Sequence, residues 1–282
     1  MVPSTSTAVP ADTPWNTAAL AAAVGVAVTV FLAGVVVSLG YPVGSGVAPV
    51  AWRYAGLAVT GFVATFLSVR YRLVTPAVGF LAVTVSVAVA ELTPPGPTFS
   101  TLGGYTVVEN GNYVASFARG WYVWASAFGY AGVAEFALRD RLAALPRAGG
   151  RSSLASASLP LDRGQALRAA AGLGAVHGVT MAAYAVAVHV SNLSPLVLVW
   201  IAVGTFLLAA VPAALLLAAR LFAPFCLFVA DLFVLVRADF YPSPDGPVPV
   251  YVVGWFFFLG VFLAVGGVEA GIRRLVGRLR AS

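Results

Sequence analysis

From Thr17 to Glu269 the chain is a succession of apolar runs, most of them long enough to cross a bilayer. About 20 apolar residues span a hydrocarbon core as a helix, and helices satisfy all their backbone hydrogen bonds internally there. The spans read approximately 17–39, 50–69, 73–91, 118–138, 168–189, 195–219, 222–237 and 250–270. The expected fold is all-α: a polytopic transmembrane bundle of about eight helices. A polar tail, 1–16, carries Pro3, Pro10 and Pro14 and no arginine, so it lacks the basic start of a secretory signal. Residues 17–272 form one transmembrane domain, and 273–282 form a basic tail.

Composition supports this reading. Charged residues make up 9% of the 282 positions, against about 25% in soluble domains. The sixteen basic residues are all arginine. With no lysine there is no Schiff-base lysine, P-loop lysine or lysine general base. The net charge of +6 sits beside spans, where it orients helices and meets anionic lipid; nucleic acid is not an expected partner. Cys226 is the only cysteine, so an internal disulfide or a thiolate cluster is excluded, and it reads as a small buried hydrophobe.

Thirteen arginines fall on one side of the spans, and only Arg53, Arg119 and Arg237 on the other. By the positive-inside rule both termini are cytoplasmic in a multi-pass cell-membrane protein. The inner connection 139–167 reads as a flexible basic linker. In the outer connection 92–117, Tyr105–Val108 and Tyr113–Ser116 flank Asn110-Gly111, which predicts a small extracellular β-hairpin. Arg220 with Pro224 marks a tight turn, Pro195 opens a helix, and Pro212 should kink one.

Ionisable residues inside a bilayer cost about 2.5–3.5 kcal/mol or more, which makes them the candidates for chemistry. Asp231 and His177 lie at similar depth and meet if their helices are neighbours. They form either a proton-accepting pair or a hydrogen bond that pins two helices. His177 falls within Gly174-x-x-x-Gly178, a spacing for close helix contact. His189 is too far along the same helix to share a metal or haem with it. Glu135 and Glu269 are placed to pair with Arg139 and Arg273, and Glu91 with Arg53 or Arg119 at the outer ends. Trp52, Trp121, Trp124 and Tyr251 are positioned as an aromatic belt. There is no zinc-protease HExxH, no paired acid motif of prenyl transfer, no nucleotide loop and no Ser-His-Asp set. No catalytic residue, metal or cofactor is expected.

Spans two to eight resemble the seven-helix layout of microbial rhodopsins. The likeness rests on an outer hairpin followed by a helix opening with Ala118-Arg119 and the aromatics Trp121, Tyr122 and Trp124. It implies a seven-helix core with one extra amino-terminal helix. The last span, 250–270, has no lysine to hold retinal, and the carboxylate expected one turn after Arg119 is absent. The resemblance therefore does not imply photochemistry.

Three function classes remain. The first is a non-enzymatic membrane protein: a sensor, an accessory subunit of a membrane complex or homo-oligomer, or a small-solute conduit. The second is a proton- or ion-coupled transporter or channel using Asp231 and His177. The third is a membrane-embedded enzyme acting on lipid.

Overall fold

The computed structural model describes residues 14–41, 47–102, 105–143, 162–188, 194–238 and 247–281. It is an all-α bundle. The elements run α1 (Pro14–Ser38), α2 (Val47–Tyr71), α3 (Thr75–Leu92), β1 (Thr98–Leu102), β2 (Tyr105–Glu109), α4 (Tyr113–Arg119), α5 (Trp121–Ala143), α6 (Arg163–Val188), α7 (Pro195–Ala219), α8 (Ala223–Ala238), α9 (Pro247–Val253) and α10 (Trp255–Ala281). Six of these, α1, α2, α3, α6, α7 and α10, are long and apolar enough to cross a membrane. The fourth and seventh expected spans fall outside that set. α5 carries tryptophan, tyrosine and Glu135, which lower its hydropathy, and α8 has 16 residues.

The elements fall into two five-helix units of the same order. In each, two long helices are followed by a tight turn and a third helix. A connection then leads to a seven-residue helix, a one-residue break at Gly120 or Gly254, and a long last helix that opens on tryptophan. The apolar background hides this repeat, but the residues with fixed tasks reveal it. The turn after α2 uses Arg72 and the turn after α7 uses Arg220, both left-handed, with φ 54° and 55°. Each arginine is followed by Leu-x-x-Pro: Leu73 and Pro76 in the first unit, Leu221 and Pro224 in the second. Each proline opens its helix where no backbone donor is needed.

The packing beneath each turn repeats atom for atom. A Cβ on Gly132 would meet Leu73, Pro76 and Leu67, and one on Gly266 would meet Pro224, Leu215 and Leu221. Phe80 meets Phe128 edge-on at 5.9 Å, and Phe228 meets Phe262 edge-on at 6.2 Å. Trp52 and Trp121 pair at 5.1 Å, and Trp200 and Trp255 at 5.2 Å. Trp121 covers Gly56 and Trp255 covers Gly204, each so closely that any side chain on the glycine would collide with the indole. All these pairs keep one constant spacing from Trp52 to Phe80 and a second from Gly120 onward.

The first two helices of each unit touch through glycine. Gly25 of α1 backs onto Ala58 of α2, and Gly174 of α6 onto Phe206 of α7. Ala58 and Phe206 are themselves equivalent, which sets the register of α1 on α6. Gly178 lies so close to α7 that its Cβ would stand 2.7 Å from the Ala202 carbonyl. The Gly174/Gly178 spacing thus serves close backbone packing, for which small residues are required in apolar helices.

The units join along α5, which packs on α6 and α8 of the second unit as well as on α2 and α3 of its own. Trp124 and Phe128 of α5 both meet Phe233 of α8 there.

Several expectations are corrected. The hairpin forms one strand earlier than predicted: Thr98 pairs with Glu109 through to Leu102 with Tyr105. Residues 113–116 are helical instead. Asn110 and Asn112, at φ 56° and 82°, turn the chain into α4 rather than back along β2. The eighth expected span is broken at Gly254, and the tail 273–282 continues α10 to Ala281. The helix α7 begins at Pro195, as expected, and runs on through Pro212. Most of the tail 1–16, the linker 144–161, the sequence around His189 and residues 239–246 lie outside the described residues.

Candidate functional site

Two acids hold the fold at equivalent places. A helix start leaves backbone N–H groups without partners and carries partial positive charge. Glu135 accepts from the backbone N–H groups of Val74 and Thr75 at 2.7 Å and from the Thr75 hydroxyl at 2.8 Å, closing the start of α3. Glu269 accepts from the Ala223 N–H at 2.8 Å, closing the start of α8. Each also forms an ion pair one turn along its own helix, with Arg139 and Arg273 respectively. Arg139 in addition donates to the Arg72 carbonyl at 2.7 Å. Because both units have this device, Glu135 belongs to the scaffold.

Glu91 is also structural. It is 1% exposed. It accepts from the backbone of Asn112 at 3.0 Å and of Val114 at 2.8 Å, and from the Tyr41 hydroxyl. Its oxygens are spent on donors at the start of α4, which is why 113–116 forms a helix. The expected pairing of Glu91 with an arginine is not formed: Arg53 is half-buried, Arg119 is exposed at the end of α4, and neither bonds Glu91. Tyr41 lies outside the spans. Burial, then the Glu91 carboxylate, holds its phenol protonated well above its usual range.

A different pattern holds at the seam between the units. His177 of α6 is completely buried. Its Nε2 shares a hydrogen bond of 3.0 Å with the Tyr251 hydroxyl of α9. Phe228 of α8 stands against its ring at 5.2 Å and Tyr130 of α5 at 5.8 Å. Tyr130 donates to the Leu173 carbonyl at 3.0 Å, one turn before His177, and so ties the first unit to the second. Whichever ring nitrogen carries the proton, Nδ1 of His177 has no partner.

Asp231 lies one turn beyond Phe228 on α8, a helix that packs on α9, which carries Tyr251. Its Oδ2 is buried without a hydrogen-bond partner. Asp231 and His177 are therefore not bonded to each other; His177 bonds Tyr251 instead. Tyr251 itself sits three residues before the break at Gly254, where the Trp200 indole donates to the Val253 carbonyl at 3.2 Å.

In the other unit the positions of His177, Asp231 and Tyr251 are occupied by Val28, Val83 and Phe117, and that of Tyr130 by Ala264. The scaffold residues repeat, but these polar ones do not. Pattern reading singled out His177 and Asp231 as intramembrane ionisable groups. It assigned Tyr251 to the aromatic belt and missed Tyr130, since the signal for both is their departure from the repeat.

Among the described residues no group of three or more His, Cys, Asp or Glu is placed to hold a metal. Comparison of the chain with family models, with curated proteins and with solved structures returned no match.

Proposed function

We propose that this is an integral protein of the cell membrane with eight spans, the six long helices together with α5 and α8, and with both termini in the cytoplasm. The arginine bias supports that orientation. Four spans per unit give the two units the same direction across the bilayer. Parallel repeats with interrupted helices at matching positions are the architecture of many membrane carriers, whose binding sites lie at the repeat interface.

On this basis the protein acts as a small-solute conduit driven or gated by protonation at the seam. One observation carries the reading: at the seam, Oδ2 of Asp231 and Nδ1 of His177 are both buried without a hydrogen-bond partner, and His177 bonds Tyr251 just before the Gly254 break. A buried charge without partners is costly, so the site favours neutral forms at rest and a proton gained or lost during work. Asp231 accepts and releases the proton, and Tyr251 and His177 extend the polar path.

Protein reconstituted in vesicles with an internal pH-sensitive dye tests this. Wild type should carry protons down an imposed gradient, and Asp231→Asn, with its fold intact, should not. Equal flux in both, or none in wild type, would contradict the proposal.

A further inference from the structure

Arg53 and Arg119 stand apart from the charge pattern. Thirteen arginines fall on one side of the spans, and these two lie on the other, near the start of α2 and at the end of α4. The fold brings them to one place. Arg53 precedes Gly56 by three residues, so both lie on the side of α2 that the Trp121 indole covers. Arg119 is two residues before Trp121, and α4 packs on α2. Both arginines therefore flank the Trp52–Trp121 pair, whose rings are 5.1 Å apart.

Nothing described within the protein engages these charges. Among the described residues neither arginine forms an ion pair or a hydrogen bond. The buried acid on this side, Glu91, is spent on the backbone of Asn112 and Val114. The scaffold does not need them either. At the same repeat spacing, their places in the second unit are taken by Ile201 and Val253. The two charges are thus additions to a scaffold that folds with aliphatic residues at these positions, on the side where the arginine bias disfavours them.

We infer that Arg53 and Arg119 together bind the phosphodiester of an anionic phospholipid. Guanidinium forks match phosphate oxygens in pairs. The apolar surface beside them selects a lipid over a soluble phosphate. Trp52, Ala55 and Val59 recur at three and four residues on the exposed side of α2, and Trp52 is 60% exposed. Trp52 lies at headgroup level, as an aromatic belt does, and Ala55 and Val59 continue inward as a track for the acyl chains. The inference depends neither on the transport reading nor on which side of the membrane is cytoplasmic.

Full-length protein in phosphatidylcholine vesicles tests it. The vesicles carry a little phosphatidylglycerol with a photoactivatable group at the glycerol end of one chain, and the adducts are mapped by peptide. An adduct is expected at the start of α2 or of α5, beside Trp52 and Trp121. Arg53→Gln and Arg119→Gln should each reduce it by about tenfold, the effect of losing one charge-assisted bond. Adducts beside Arg273 and Arg274, at the opposite boundary, should stay at the wild-type level and report an intact fold. A phosphatidylcholine probe of the same design should label the site weakly, and excess glycerol phosphate, which has no chains, should not compete. Equal labelling by the two lipids would overturn the inference, since it would mean ordinary lipid contact. So would labelling unchanged in both variants, or displacement by glycerol phosphate, which would mean a site for a soluble anion.

Discussion

The Tyr251 hydroxyl lies 3.0 Å from Nε2 of His177, and the residue in the place of Tyr251 in the first unit is Phe117. Tyr251→Phe therefore installs the other unit's residue and removes a single oxygen, leaving both nitrogens of His177 unpaired. Polar contacts between membrane helices contribute about 0.6–1.7 kcal/mol. The variant should lose that much in a thermal or denaturant unfolding series in detergent, with its fold unchanged. An unaltered midpoint would mean that the hydrogen bond contributes nothing.

The paired acids give a test of the repeat. Glu135 and Glu269 close equivalent helix starts. Glu135→Ala and Glu269→Ala should destabilise to similar extents, about 0.5–2 kcal/mol each, the range for losing a helix cap. The acids sit in separate units with no shared partner, so the double variant should show the sum of the two. Strongly unequal or non-additive costs would argue against equivalent roles.

Tyr41 gives a pH signature at the hairpin end. Burial and the Glu91 carboxylate raise its folded-state pKa above the ordinary 10.0. A raised pKa favours the protonated form in the fold. The stabilisation is therefore complete below pH 10 and is lost as pH rises beyond it. Between about pH 10 and 12, wild-type stability should fall more steeply than that of Tyr41→Phe. Parallel curves would contradict the assignment.

Orientation is tested by labelling with a membrane-impermeant thiol reagent on a Cys226→Ala background. Ser152→Cys should react only from the cytoplasmic side and Gly111→Cys only from outside. The reverse pattern would invert the proposed topology.

Much of the fold is legible in the sequence because lipid imposes a length and a composition. The runs at 17–39, 50–69, 73–91 and 195–219 fall on α1, α2, α3 and α7 with ends displaced by a few residues. What pattern reading missed depends on tertiary partners. The Asn110-Gly111 signal is a sound local cue, but Glu91, about twenty residues earlier, claims the N–H groups of Asn112 and Val114 and turns the segment into a helix. The breaks at Gly120 and Gly254 lie within apolar runs that do not signal them. The repeat escapes notice because alanine, valine and leucine fill most positions and match everywhere. Only residues that cannot be exchanged keep their places: glycines under tryptophans, acids at helix starts, and arginine in a left-handed turn. His177 and Asp231 were legible as ionisable groups in apolar helices. The bond of His177 to Tyr251 was not, because it joins two helices 74 residues apart in sequence.

The central claim is that Asp231 works at the seam rather than holding it together. In the first unit its place is taken by Val83, so Asp231→Val is a substitution that the scaffold already accommodates. The decisive measurement is the thermal midpoint of Asp231→Val alongside its proton flux in vesicles. The expected midpoint equals or exceeds that of wild type, since a half-buried carboxylate whose Oδ2 has no hydrogen-bond partner is removed, together with loss of flux. A lowered midpoint with flux retained would contradict it and make Asp231 a structural residue.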